Sequence, residues 1–408
     1  MFKQHAIRFT RDIISWLLLG TVIGVPIGLA SALFLYSLDF VSHWRESNLW
    51  IIVFLPLVGL LIGYIYSNLG KSSESGTNLI LQEYFIPSKT LPKLMAPLIL
   101  VSTLLTHLVG ASAGREGTAI QMGAAIADRF HFFGEKFQQN RALFLTAGIG
   151  AGFASLFGTP WAGAIFAIEL LRNKSIPWSG VIPALTTSFV AYFTCLLTKA
   201  PHTHYKAVEG LQFDSTTLIY LFAVSALFGM VALLYVYAHQ FFKSLGVVLV
   251  RSNIWRPFFG GIVIFIIFAI MGNTRFMGLG IPSILDSFEN HAAYYDFLVK
   301  LLLTAFTLAF GFKGGEVTPL FFIGATLGSA LSMVVPIPIA LMAAVGFLAV
   351  FAGATKTFLA CSIMGGELFG WEAFPYFFAS CLVAQIFSGT KGIYENINKP
   401  ISLFISKP

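Results

Sequence analysis

Two near-copies of one glutamate motif stand half a chain apart inside apolar sequence, and this restricts the possible folds sharply. The first copy reads Gly114-Arg115-Glu116-Gly117-Thr118 and runs into Ala119-Ile120-Gln121-Met122-Gly123. The second reads Gly314-Gly315-Glu316-Val317-Thr318-Pro319 and runs into Leu320-Phe321-Phe322-Ile323-Gly324. Their glutamates are 316 − 116 = 200 positions apart in a chain of 408 residues. Burying an ionised carboxylate among apolar side chains is costly. A carboxylate kept at membrane depth therefore marks an ion or proton path. Two of them at matching places in two halves point to a transporter built from a repeat.

The rest of the chain agrees with a membrane setting. Only 11% of its residues are charged, against about 25% in soluble domains. Apolar runs near the roughly 20 residues needed to cross a bilayer occur at 13–38, 50–69 and 218–237, with a shorter one at 258–272. The expected fold class is an all-α polytopic membrane protein. The net charge of +7 comes from short basic clusters such as Lys3, Arg8 and Arg11, or Arg251 and Arg256. They read as interface residues, since no basic run is long or interleaved with aromatics, and no nucleic-acid partner is expected. The cluster before the first span places the N terminus in the cytoplasm. That span is too long for a signal-peptide core and should stay as a helix. Cys195, Cys361 and Cys381 lack metal spacing and read as packing residues. His202 and His204 lack acidic or cysteine partners and read as solvated; no metal site and no cofactor are expected.

The duplication extends past the glutamates. A long helix opens each half, at about 11–43 and 214–245. A shorter span follows, then a glycine-rich break: Ser75-Gly76-Thr77-Asn78 in one half, Gly278-Leu279-Gly280-Ile281-Pro282 in the other. After the glutamate motifs, residues 148–171 parallel 346–368, which sets Glu169 opposite Glu367. The expected organisation is one transport domain over 1–408, with repeats at about 12–198 and 213–400, a polar linker at 199–212 and no soluble regulatory domain. Many segments after the breaks are too short to span. Broken helices bring free N–H groups and positive dipole ends to the midplane, which favours anions. An anion path with a carboxylate in it follows from the residues alone.

These residues resemble the CLC family of chloride channels and proton-coupled anion antiporters, over about residues 12–400. Gly114-Arg115-Glu116-Gly117 is similar to the family's GREGP, and Gly76-Thr77-Asn78-Leu79 lies where the family has GSGIP. Gly314 to Pro319 is similar to the GxFxP region, and Tyr394 to the inner-gate tyrosine. Three departures resemble the fluoride-selective branch, the CLC-F fluoride/proton antiporters of bacteria. Thr118 replaces the proline of GREGP, Thr77 the serine of GSGIP, and Glu316-Val317 the usual apolar pair. Gly278 to Pro282 spells a similar motif but follows the opening spans of the second half, so it is set aside. The position of the family's inward-facing proton glutamate is Leu170, which removes the usual inner proton route.

The resemblance implies an inverted two-repeat bundle with re-entrant helices, acting as a homodimer in the bacterial inner membrane. It implies fluoride export in exchange for protons, and no enzymatic activity. The alternative is a chloride/proton antiporter or passive chloride channel on the same fold. Glu116 is the expected gate: ionised, it fills an anion site; protonated, it withdraws and carries a proton. Its bland alternative is a helix-capping acid. Glu316 either titrates as a second group or braces the broken helix. Thr318 either donates its hydroxyl to the anion beside Val317 or bonds its own backbone four residues back. Gly76, Thr77 and Asn78 either offer inner donors to a strongly hydrated fluoride or cap a helix. Tyr394 faces the pathway or belongs to an interfacial aromatic belt. Arg115 pairs locally or caps carbonyls, and Glu169, Arg172 and Glu367 read as helix-end charges.

Overall fold

The computed structural model describes residues 2–132, 140–172, 178–208 and 214–394, and within them the chain is helical with no β-sheet. The first half holds α1 (Phe2–Ser47), α2 (Leu55–Asn68), α3 (Thr77–Phe85) and α4 (Met95–Leu108). It continues with α5 (Glu116–Ala127), α6 (Arg141–Phe157), α7 (Pro160–Leu170) and α8 (Val181–Leu197). The second half repeats the order with α9 (Ser215–Leu249), α10 (Arg256–Met271), α11 (Ile281–Asp286) and α12 (Asp296–Ala309). It ends with α13 (Val317–Leu331), α14 (Ile339–Thr355), α15 (Phe358–Phe369) and α16 (Phe374–Phe387). Each helix has its counterpart eight places on. The packing is duplicated too: α6 lies on α5 and α8 as α14 lies on α13 and α16. The limits expected for the second repeat, at 213 and 400, fall outside the described residues.

Among the described residues three helical stretches are long and apolar enough to cross a bilayer, at Ile14–Ser47, Leu49–Asn68 and Ser215–Leu249. The rest are shorter. The 12 residues of α5 rise only about 18 Å, well short of a hydrocarbon core of about 30 Å. Helix ends therefore lie inside the bundle, where irregular backbone survives because protein shields it. The outer surface is apolar: Leu18 is 67% exposed, Ile219 71% and Ile270 79%. Polar groups collect inside, including Arg115, Glu116, Thr318 and Lys300. This inversion of the soluble pattern suits lipid as solvent.

One crossing shows how sequence sets the packing. A Cβ on Gly123 of α5 would lie 2.2 Å from the Gly148 carbonyl oxygen of α6. A Cβ on Gly324 of α13 would lie 2.0 Å from the Gly346 oxygen of α14. Only glycine allows either backbone approach, and the close contact is what lets short helices pack without large side chains between them.

The helix-end carboxylates are exchanged between halves. Glu169, near the end of α7, accepts the N–H groups of Leu359 (3.3 Å) and Ala360 (2.9 Å) at the start of α15. Glu367, near the end of α15, accepts those of Trp161 (3.0 Å) and Ala162 (2.8 Å) at the start of α7. Each satisfies orphan donors that neither helix can satisfy itself.

Candidate anion and proton pathway

The two glutamate motifs meet. Gly114 N–H donates to the Gly315 carbonyl at 2.6 Å and Gly315 N–H donates back to Gly114 at 2.7 Å, an isolated antiparallel bridge. The glycines are needed there: a Cβ on Gly315 would lie 2.7 Å from the Gly117 nitrogen, and one on Gly314 2.8 Å from the Ala113 Cβ. From this bridge α5 and α13 start, so their N-termini face a common centre. Pro319 in the first turn of α13 has no N–H to leave unpaired.

Glu116 occupies that centre and is fully buried. Its Oε2 accepts the N–H groups of Arg115 and Thr318, both at 3.0 Å, and its Oε1 accepts a short bond from the Thr318 hydroxyl. The carboxylate caps the N-terminus of the helix from the other half, a place whose free N–H groups suit negative charge. Thr318 thus bonds Glu116 instead of its own backbone. Thr118, its counterpart, shares a 2.7 Å hydroxyl pair with Thr103.

Two openings flank Glu116. On one side a cavity of about 190 Å³ is lined by Gly76, Thr77, Asn78, Gly117, Gly314, Gly315, Glu316, Val317 and Tyr394. On the other a vestibule of about 600 Å³ is lined by Arg115 with Arg45, Arg275, His202 and His204. Arg115 lines the one and Gly117 the other, so Glu116 lies between them in sequence and in space. The same linings show that the halves are inverted. Residues between 35 and 46, late in α1, reach the vestibule, whereas His239, late in α9, reaches the cavity.

The cavity wall is polar by backbone geometry. Gly76 holds φ +54° before α3, a conformation that favours glycine. No side chain caps α3, and Thr77 and Asn78 line the cavity. Glu316 opens onto the same space, with its Oε1 3.3 Å from Nδ1 of His239. Val317 is buried beside it and Tyr394 is half-buried at the wall.

Several residues lining the cavity carry no sequence motif. Gln121, His239 and Lys313 all line the cavity; the Lys313 ammonium rests 4.0 Å from the Tyr66 ring centroid. Gln121 stands within the first motif segment, five residues after Glu116, and Lys313 directly precedes the second, three before Glu316, which is the signal that could have marked them. His239 is a single histidine in an apolar span. One expectation needs correction. His202 is not solvated: it is half-buried, and its Nε2 lies 2.8 Å from the Ser155 carbonyl. The Arg115 guanidinium pairs locally with Glu116 at 4.0 Å and also donates to the Thr203 hydroxyl at 3.2 Å. The linker folds back over the vestibule to make the contacts of His202 and Thr203: Val208 N–H bonds the Phe369 carbonyl, and Tyr205 packs on Phe288, Phe347 and Phe369.

Comparison with known proteins places this geometry. The sequence pattern of the family described as voltage gated chloride channel matches residues 58–389. A chloride/fluoride channel protein of Pseudomonas syringae pv. tomato is 40% identical over 389 residues, covering 94% of this chain and 86% of the relative. The crystal structure of a CLC-type fluoride/proton antiporter superposes with TM-score 0.91 at 35% identity, covering 95% of this chain and 98% of that one. A slow cyanobacterial Cl−/H+ antiporter superposes with TM-score 0.79 at 20% identity, covering 93% and 96%, a likeness of fold.

Proposed function

Since the chain belongs to the CLC family of anion transporters, we propose that it exports fluoride from the bacterial cytoplasm in exchange for protons. It works in the inner membrane as a homodimer. The basic cluster at the start of α1, ahead of its apolar span, argues for the cavity on the cytoplasmic side and the vestibule outside.

The observation that carries this reading is the seat of Glu116, held by the Thr318 N–H and hydroxyl between the two openings. An ionised Glu116 fills the site at the start of α13. Protonation from the vestibule removes its charge and its claim on those donors, and fluoride from the cavity takes its place. Thr77, Asn78 and Gln121 surround fluoride as it sheds water, since N–H and O–H donors must replace hydration. When Glu116 gives up its proton inward and returns, the anion is displaced outward. Mutual exclusion at one site thus couples the two ions. The family's usual inward glutamate is replaced by Leu170, buried at 2% exposure, so the proton leaves by another route.

The competing reading is a passive anion channel or a chloride/proton antiporter. Leu170 favours the passive case, because it puts an apolar side chain where the family's inward proton acceptor stands. Glu116→Gln separates them. The amide keeps the shape but cannot carry a proton, so liposomes should lose fluoride-driven proton uptake entirely. Uphill proton movement persisting in that variant would overturn the gate assignment.

A further inference from the structure

We propose that His239 relays the proton between Glu316 and the cytoplasmic cavity, standing in for the carboxylate missing at Leu170. The inference rests on the antiport reading above. Its geometric basis is the 3.3 Å contact between His239 Nδ1 and Glu316 Oε1, with both side chains partly open to the same cavity. Glu316 is in turn tied to the gate by its own backbone. Gly315 pairs with Gly114, and Thr318 holds the Glu116 carboxylate. The relay proper runs from Glu316 through His239 to cavity water, beside the bridge that carries Glu116.

Chemistry selects the histidine from its neighbours. Tyr235 stands one turn earlier on α9 with its ring 6.4 Å from the imidazole, and Lys243 one turn later within electrostatic reach of Glu316. Glu74, Lys313 and Tyr394 line the cavity around them. Of these, only the imidazole both touches Glu316 in an ion-pair contact and is of a type suited to exchanging protons near neutrality. In the transfer, Glu316 O–H gives its proton to Nδ1 of the neutral ring, leaving a carboxylate beside an imidazolium. The imidazolium then releases the proton on Nε2 to cavity water, and exchange with that water restores the first tautomer. No electrons move and no further reactant is needed.

The test uses the full-length protein in liposomes, reading fluoride efflux and proton uptake from the same sample. His239→Gln keeps a polar side chain beside Glu316 but carries no proton, and should slow coupled proton uptake by about tenfold or more. His239→Ala should fail likewise and recover in imidazole buffer, though not in a bulky amine buffer at the same pH, because imidazole fits the vacated space. A merely structural histidine would not give that recovery. Wild-type liposomes without coupled proton uptake would overturn the antiport reading, and the relay with it. Wild-type coupling retained within twofold by both variants would overturn the relay alone, as would an His239→Ala defect that imidazole leaves unchanged.

Discussion

The motif around Glu116 and the motif around Glu316 share one backbone and hold their carboxylates in opposite ways. Glu116 reaches across the bridge to the other half's helix and is sealed from both openings. Glu316 turns to the cavity and meets His239. The duplication thus supplies two helix N-termini facing one centre, and side chains at matching positions divide the labour. Thr318 holds the Glu116 carboxylate, whereas Thr118 closes a buried pair with Thr103. Arg115 lines the vestibule, whereas Gly315 leaves room for the Glu116 and Gly117 backbone. The glycine loops diverge in the same manner. The loop at Gly76 stays open to the cavity, while Lys300 of α12 donates to the Phe276 and Gly278 carbonyls at 3.0 and 2.7 Å. Symmetry builds the scaffold, and the two motifs depart from it locally.

The glycine crossings should treat the halves alike. Gly123→Val and Gly324→Val each drive a side chain into an opposing carbonyl, and should cost more than about 3 kcal/mol, enough to lose folded protein. Size-exclusion profiles in detergent would show it; one half tolerating the change would break the equivalence of the two scaffolds. The threonines should treat them differently. Thr318→Val removes a hydroxyl bond to a carboxylate worth about 1.5–3 kcal/mol, so the gate closes less firmly and fluoride leaks without protons by about tenfold more. Thr118→Val leaves the Thr103 hydroxyl unpaired, costing about 1–2 kcal/mol of stability with the coupling ratio unchanged. The smallest effect belongs to Asp214, which caps α9 by accepting from Thr216 and Thr217. The Thr216 hydroxyl and amide, then those of Thr217, hold this carboxyl down to about 2. Its contribution to stability is full above about pH 4 and fades as the pH falls through about 2. Asp214→Asn should flatten the acid limb of a thermal-stability profile slightly and leave transport alone; an unchanged limb would remove the cap from the account.

The repeat, the short helices and the glutamate motifs were legible because each leaves a one-dimensional trace. Apolar length marks α1, α2 and α9. Glycines flank the broken starts of α3, α5 and α13, and a glutamate in apolar sequence stands out by its cost. The partners of those residues were not legible. Thr318 is as ready to bond its own backbone as a carboxylate 202 positions away, and only the bridge at Gly114 and Gly315 decides between them. His239 in an apolar helix reads as a packed core residue until the cavity is seen. His202 looked solvated because the linker is polar, yet that linker lies down on the protein through Tyr205 and Val208.

The central claim is that one buried glutamate exchanges a fluoride for a proton. Purified protein in liposomes loaded in parallel with fluoride or chloride tests it most directly, with ion-selective electrodes following efflux and external pH recorded alongside. The account predicts rapid fluoride efflux, slow chloride efflux and proton uptake in step with fluoride. Comparable chloride flux, or fluoride efflux with no proton movement, would contradict it.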